Sequence, residues 1–167
     1  RTELAKRRDE QLETLETSFE SAAAYRTARV ADPTAAIDMR WEALLPALTG
    51  ELPVFAHVED LMQVRHALDL AERFDLELVI VGGADAWRIA DELAAKSVPV
   101  ILATVNRPPL RRWEAYSTPF ESAARLVAAG VDVAIAGDGT AFSAANVRNL
   151  PYEAAKAVAF GLTREQA

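Results

Sequence analysis

The chain contains no cysteine. Disulfides, thiolate metal sites and a cysteine nucleophile are therefore excluded. No apolar run approaches the roughly 18 residues that a membrane helix requires, and no secretory leader pattern opens the sequence. Basic residues are in deficit: 18 Lys and Arg stand against 25 Asp and Glu, leaving a net charge of −7. A general nucleic-acid binder needs a basic face to neutralise phosphates, so neither nucleic acid nor membrane is an expected partner. A small anionic ligand at a local basic spot stays open. Walker, GxSxG and HExxH motifs are all missing. The chain begins at Arg1 rather than Met, so a piece of something larger is expected. Its compartment, cytoplasm or periplasm, is left undecided.

The chain has 167 residues, 51% hydrophobic and 26% charged. That excludes disorder and suffices for one domain with a real core. Residues 1–29 hold good helix formers without Gly or Pro, and Leu12, Leu15, Phe19, Ala22 and Ala23 recur at roughly helical spacing. Asp32-Pro33 breaks that pattern. A short helix is expected over 38–48, capped by Asp38, distorted by Pro46 and ended by Gly50. A rhythm then sets in. Strands are expected at 53–58, 77–81, 98–104 and 131–137, and helices at 60–73, 84–95, 118–129 and 149–160, with Thr163 capping a further helix. The strand entries repeat as Leu52-Pro53-Val54, Leu76-Glu77-Leu78, Val98-Pro99-Val100 and Val131-Asp132-Val133.

Alternating strands and helices imply right-handed βαβ units on a parallel sheet. Two architectures fit: a small doubly wound sheet, or half of a (β/α)₈ barrel, whose complete form needs about 250 residues. Either way the C-terminal strand ends carry the chemistry. Those ends hold His57, Gly82-Gly83, Thr104 to Asn106, and Asp138.

The stretch VDVAIAGDGT at 131–140 reads as a buried strand that delivers the Asp138 carboxylate between two glycines. An ordinary turn aspartate explains it equally well. His57 directly follows Val54-Phe55-Ala56. An imidazole there suits a divalent metal or a proton transfer, and the bland reading is a histidine bonded to backbone at a helix entrance. His66, inside a helix, reads as a surface or packing residue. Gly82-Gly83 ahead of a helix could form an anion site, but the GxGxxG spacing is absent. Close strand–helix packing, or space for a ligand, explains the pair better. The loop 105–117 is the longest inside the repeat and carries Arg107, Arg111, Arg112, Trp113 and Tyr116. Long loops at this end usually cover or shape a site.

Several segments together, LPVFAHVED, VPVILATV, WEAYSTPFESAARLVAAGVDVAIAGDG and NLPYEAAKAVAFGLTREQA, resemble the amidohydrolase superfamily, nearest to its imidazolonepropionase-like branch. The resemblance runs from about Pro53 onward and rests on the order and spacing of segments. It implies an α/β fold in which parallel βα repeats form the second half of a (β/α)₈ TIM-type barrel, preceded by two helices. Residues 1–50 would be a helical lead-in packed on the barrel and 51–167 four βα units, in a single domain. The resemblance matches His57 to a fifth-strand metal ligand. It matches Asp138 to an eighth-strand aspartate that touches the metal and shuttles protons for the activated water. The implied activity is hydrolysis of an amide or cyclic C–N bond of a small molecule, with a divalent metal, zinc, as cofactor. A sixth-strand histidine would fall around Val81 to Gly83, where this chain has Gly82-Gly83. Further metal ligands would lie upstream of Arg1. Two ligands do not hold zinc tightly, so the chain alone is expected to be inactive. Its partner would be the missing N-terminal half of the barrel or a second copy. The alternatives are a catalytically degenerate barrel with a binding or assembly role, and a free-standing domain that binds a nucleotide or phosphate at Gly82-Gly83.

Overall fold

Without glycine or proline to interrupt it, the first segment forms one 30-residue helix, α1 (Thr2–Ala31). It stops where Asp32 precedes Pro33, because the proline ring disfavours helical backbone in the residue before it. The exposed Asp32 carboxylate accepts from the Thr34 amide and hydroxyl, closing the turn. The computed structural model describes residues 2–137 and 140–167. The expected helix over 38–48 is two single turns, α2 (Met39–Glu42) and α3 (Leu45–Leu48). Pro46 has no N–H to donate to the Glu42 carbonyl, so the helix breaks between the two turns and Pro46 opens the second. Asp38 caps α2 by accepting from the Arg40 amide.

The chain divides into two compact units. One comprises Arg1–Val54 with Asp69–Glu77, the other Phe55–Leu68 with Leu78–Ala167. The first unit is held by Phe19, Ala22 and Leu48, against which Trp41, Leu44, Leu70, Phe74 and Leu76 pack. Phe19 and Phe74 stack with centroids 5.4 Å apart. Arg73 bonds Glu16 and Glu20 of α1, and Arg26 donates to the Leu48 carbonyl.

The second unit is built on a four-stranded sheet in the order β1-β2-β3-β4. Its strands are β1 (Val54–Val58), β2 (Leu78–Gly82), β3 (Val100–Leu102) and β4 (Val133–Ile135). β3 lies parallel to both neighbours. Ile80, Val100 and Val133 stand level, then Val81, Ile101 and Ala134, then Gly82, Leu102 and Ile135. The Gly83 N–H donates to the Val58 carbonyl at the β1–β2 end. Between the strands run α4 (Leu61–Phe74), α5 (Ala90–Ala95) and α6 (Thr118–Ala128), and after β4 come α7 (Ala141–Ala145) and α8 (Leu150–Ala159). The buried residues of this unit include Val64, Leu68, Ile80, Leu93, Val100, Leu102, Phe120 and Leu126. They are the apolar stripes of α4, α5 and α6 together with one face of the sheet. Strands β3 and β4 are shorter than expected from sequence, though Val100 N–H to Asp132 carbonyl and Ala136 N–H to Leu102 carbonyl extend the ladder at both ends. α7 was not anticipated. Among the described residues no helix is long and apolar enough to cross a membrane.

Three of the four repeated strand entries have one physical cause. The helices ahead of Leu76, Val98 and Val131 end in a residue with left-handed backbone, Asp75 (φ 54°), Ser97 (φ 53°) and Gly130 (φ 91°), and α8 ends the same way at Gly161 (φ 126°). The next amide then bonds a carbonyl five residues back, as Leu76 to Ala71, Val98 to Leu93, Val131 to Leu126 and Leu162 to Ala157. This is the Schellman ending, in which an apolar residue just past the turn folds back on the helix. Val98, Val131 and Leu162 are accordingly buried. Ser97 holds this backbone at a cost of about 1 kcal/mol that glycine would not incur. Ser97→Gly is expected to raise stability by about 0.5–1 kcal/mol. Gly130→Ala, where an added Cβ meets nothing within 4 Å, should lower it by a similar amount. Urea unfolding of the two variants checks both signs.

Candidate functional site

His57 is the second-last residue of β1 and is exposed, as is Phe55 on the same side of the strand. The Gly83–Val58 hydrogen bond sets Val58 beside Gly82, so His57 falls in the row of Val81, Ile101 and Ala134. That face is the less covered one: Ala134 is exposed, and Val81 and Ile101 are only part-buried. The opposite face holds buried Gly82 and Leu102. Among the described residues the His57 imidazole has no hydrogen-bond partner. Asp138 lies outside the described residues, and with it the expected convergence on His57. His66 is part-buried within α4. No group of three His, Cys, Asp or Glu residues suited to hold a metal occurs among the described residues.

Gly82 and Gly83 have steric reasons to be glycine. Gly82 has φ +98°, and a Cβ there would lie 2.7 Å from both the Val58 carbonyl oxygen and Glu59 Oε1. A Cβ on Gly83, at φ +60°, would sit 3.0 Å from Val100 and 3.2 Å from Ile80. Neither position has room for a histidine. Three of the amides that a phosphate at this turn would use are already engaged. Gly83 N–H is taken by Val58, Asp85 N–H by the Glu59 carbonyl and Ala86 N–H by the Gly83 carbonyl. The chain then enters a short 3₁₀ turn, Ala86–Ile89, before α5 begins.

The reason for that 3₁₀ start is Asp85, which sequence reasoning passed over. Its side chain makes no local cap and is 1% exposed. One carboxylate oxygen accepts from Arg111 Nη1 at 2.8 Å and Arg88 Nε at 3.1 Å. The other accepts from Arg111 Nη2 at 2.5 Å and from the Leu61 backbone amide at 3.1 Å. Glu114 completes the cluster, accepting from Arg88 Nη2 at 2.6 Å and Arg111 Nη1 at 2.8 Å. Two guanidiniums thus face two carboxylates, and no charge is left over to act as a base. The cluster ties the start of α4, the turn after β2 and the loop 105–117 into one piece. Burial pushes the Asp85 carboxyl up, but the Arg111 and Leu61 hydrogen bonds and the two guanidinium charges outweigh it, so its pKa lies below the usual range. Glu114 obeys the same balance. The Arg111 guanidinium is raised by its bonds to Asp85 and Glu114.

Two further ties organise the rim. Arg107 pairs with Glu59 at 3.2 Å, two residues past His57. Glu153, in the first turn of α8, accepts from the Val105 and Asn106 amides at 2.8 and 2.6 Å and from Thr104 Oγ1 at 3.3 Å. The entry to α4 is closed by a capping box. Asp60 Oδ1 accepts from the Gln63 amide, and Gln63 Oε1 accepts from Glu59 and Asp60 amides. The D-x-x-Q spacing of that box was readable in the sequence. The Asp85–Arg111 pair, twenty-six positions apart, had no local signal.

No family model matches the chain, and no curated protein matches it. A solved structure does: the crystal structure of an amidohydrolase from Thermotoga maritima MSB8 is similar, with a TM-score of 0.79 at 22% identity. The likeness covers 93% of this chain and 41% of that one. The chain therefore spans about two fifths of that structure's length, and at this identity the likeness speaks for the fold. The α/β reading, with parallel βα repeats making part of a (β/α)₈ barrel, stands.

Breaking a buried, hydrogen-bonded charge pair from one side strands the other charge, which costs about 3–5 kcal/mol. Asp85→Asn is expected to lose an amount of that order in urea unfolding at neutral pH. Because the folded-state pKa of Asp85 is lowered, its contribution is complete above the unfolded value near pH 4 and is lost as pH falls through the folded value. The variant should therefore show a shallower loss of stability below about pH 4 than the wild type. Equal acid slopes would show that Asp85 does not carry this term.

Proposed function

We propose that this chain is part of an amidohydrolase-like, metal-dependent hydrolase that cleaves an amide or cyclic C–N bond of a small molecule. The fold likeness supports the class. The observation that carries the reading is His57, an exposed imidazole without a partner among the described residues, at the C-terminal end of β1. Barrels of this type place their chemistry at that end.

In this reading His57 is a metal ligand and Asp138 is both a second ligand and the general base. The donor set, a neutral imidazole and a carboxylate, suits zinc among divalent ions. A catalytic zinc takes three or more protein ligands, and the described residues group no such set. The remaining donors, like the remaining strands, are assigned to polypeptide beyond this chain or to a second copy. Once bound, such an ion polarises a carbonyl and acidifies a water. The Asp138 carboxylate takes the proton of the attacking water and returns it to the leaving nitrogen. His57 would offer one ring nitrogen to the ion.

Gly82 favours a second reading. Its backbone and its contact with Val58 leave no space for a sixth-strand histidine. That supports a barrel which has lost part of its metal site and keeps the fold for binding or assembly. The two readings part on one measurement. In the complete barrel, His57→Ala should lower bound zinc, and Asp138→Asn should cut hydrolysis of a cyclic amide by a factor on the order of 10²–10⁴. Zinc content and turnover equal to the wild type in both variants would remove these residues from any active site and leave the binding reading.

A further inference from the structure

The loop 105–117 carries three arginines and one glutamate, a net charge of +2 in a chain of net −7. Its arginines are not equivalent. Arg107 is paired with Glu59, and Arg111 with Asp85 and Glu114. Arg112 is exposed and has no hydrogen bond or ion pair among the described residues. It lines an open surface depression of about 300 Å³, together with Pro109, Leu110, Arg111, Glu114 and Tyr116. Within that depression Arg111 and Glu114 neutralise each other, at 2.8 Å. A guest is therefore offered polar and apolar wall in similar measure, the apolar part from Pro109, Leu110 and the Tyr116 ring, and the uncompensated charge is the Arg112 guanidinium.

The depression is also held in shape before any guest arrives. Glu153 clamps the start of the loop through the Val105 and Asn106 amides. Arg111 is locked to a carboxylate that is 1% exposed. Tyr116 stands edge-on to the Phe120 ring, 5.3 Å away, and Phe120 is 2% exposed. A site whose backbone is already ordered loses little conformational entropy on binding. Its volume is at the small end of ligand pockets, enough for an acid of roughly ten non-hydrogen atoms.

We infer that this loop is a binding site for a small organic carboxylate with a flat apolar body, the carboxylate meeting Arg112 and the body lying against Tyr116 and Leu110. A guanidinium presents two parallel donors that match a carboxylate, which a neutral amide or an alcohol does not. The inference needs neither a metal nor any residue beyond the chain, so it stands apart from the hydrolase reading.

The test is calorimetric titration of the full-length protein with phenylacetate and, as its uncharged twin, phenylacetamide. Phenylacetate is expected to bind at least about tenfold more tightly than phenylacetamide. Arg112→Gln should lose that factor for phenylacetate and leave phenylacetamide unchanged, while Arg112→Lys keeps part of it. Leu110→Ala should weaken both ligands. Circular dichroism and thermal unfolding of Arg112→Gln should match the wild type, since the side chain has no hydrogen bond or ion pair among the described residues. Arg112→Lys supplies the same comparison should they differ. The inference is overturned by equal affinity for the two ligands, by unchanged phenylacetate affinity in Arg112→Gln, or by no binding to the wild type. Acetate binding as tightly as phenylacetate would remove the apolar walls from the site.

Discussion

One buried carboxylate constrains the second unit more than any other group. Asp85 leaves water almost completely, and a bare carboxylate could not do so. It is stable there because two guanidiniums and a backbone amide surround it, each from a different segment. None of those segments can move far without stranding a charge in a dry place. The penalty for breaking the cluster therefore exceeds the gain from making it, and the arrangement serves geometry more than net stability.

From that constraint the rim acquires two kinds of surface. Around Asp85 everything is paired, and the loop 105–117 is fixed at its middle by Arg111, at its start by Glu153 and at its end by the Tyr116–Phe120 ring contact. Beside it the sheet keeps a face with few partners, where His57 stands in the row of Val81, Ile101 and Ala134. A rigid rim next to an open face is what a binding site needs, because donors held in place by the fold lose little freedom when a ligand arrives. The same rigidity explains why Gly82 is fixed as glycine: the backbone of Val58 and the side chain of Glu59 press against it.

Most of the architecture was legible in the chain because it depends on local chemistry. The 30-residue helix results from an uninterrupted run of helix formers, and its end from Pro33. The βα rhythm results from apolar runs separated by residues that tolerate left-handed backbone. Three of the four repeated strand entries turned out to be the apolar members of helix endings, a relation with a span of five residues. Local reasoning placed the distortion at Pro46, which goes as far as splitting the helix in two, and it failed where a helix lost its cap to a distant partner, leaving a 3₁₀ turn at Ala86–Ile89. Of the candidate site, sequence located His57 at a strand end. It missed Asp85, since an aspartate in the Gly-Gly-Ala-Asp run looks like any turn aspartate until its partner is known.

By itself, then, the sequence determined the element order, the parallel sheet and the strand ends at which side chains could do chemistry. These rest on periodicity, capping and backbone preference, all settled within a few residues. Which charges neutralise one another, and which arginine of the loop has no partner among the described residues, was decided only by the tertiary structure. Arg111 and Arg112 are adjacent and chemically identical, yet one is locked against a buried carboxylate and the other is exposed. Burial and pairing depend on what the fold brings alongside each group, and neighbours in the chain carry no record of it.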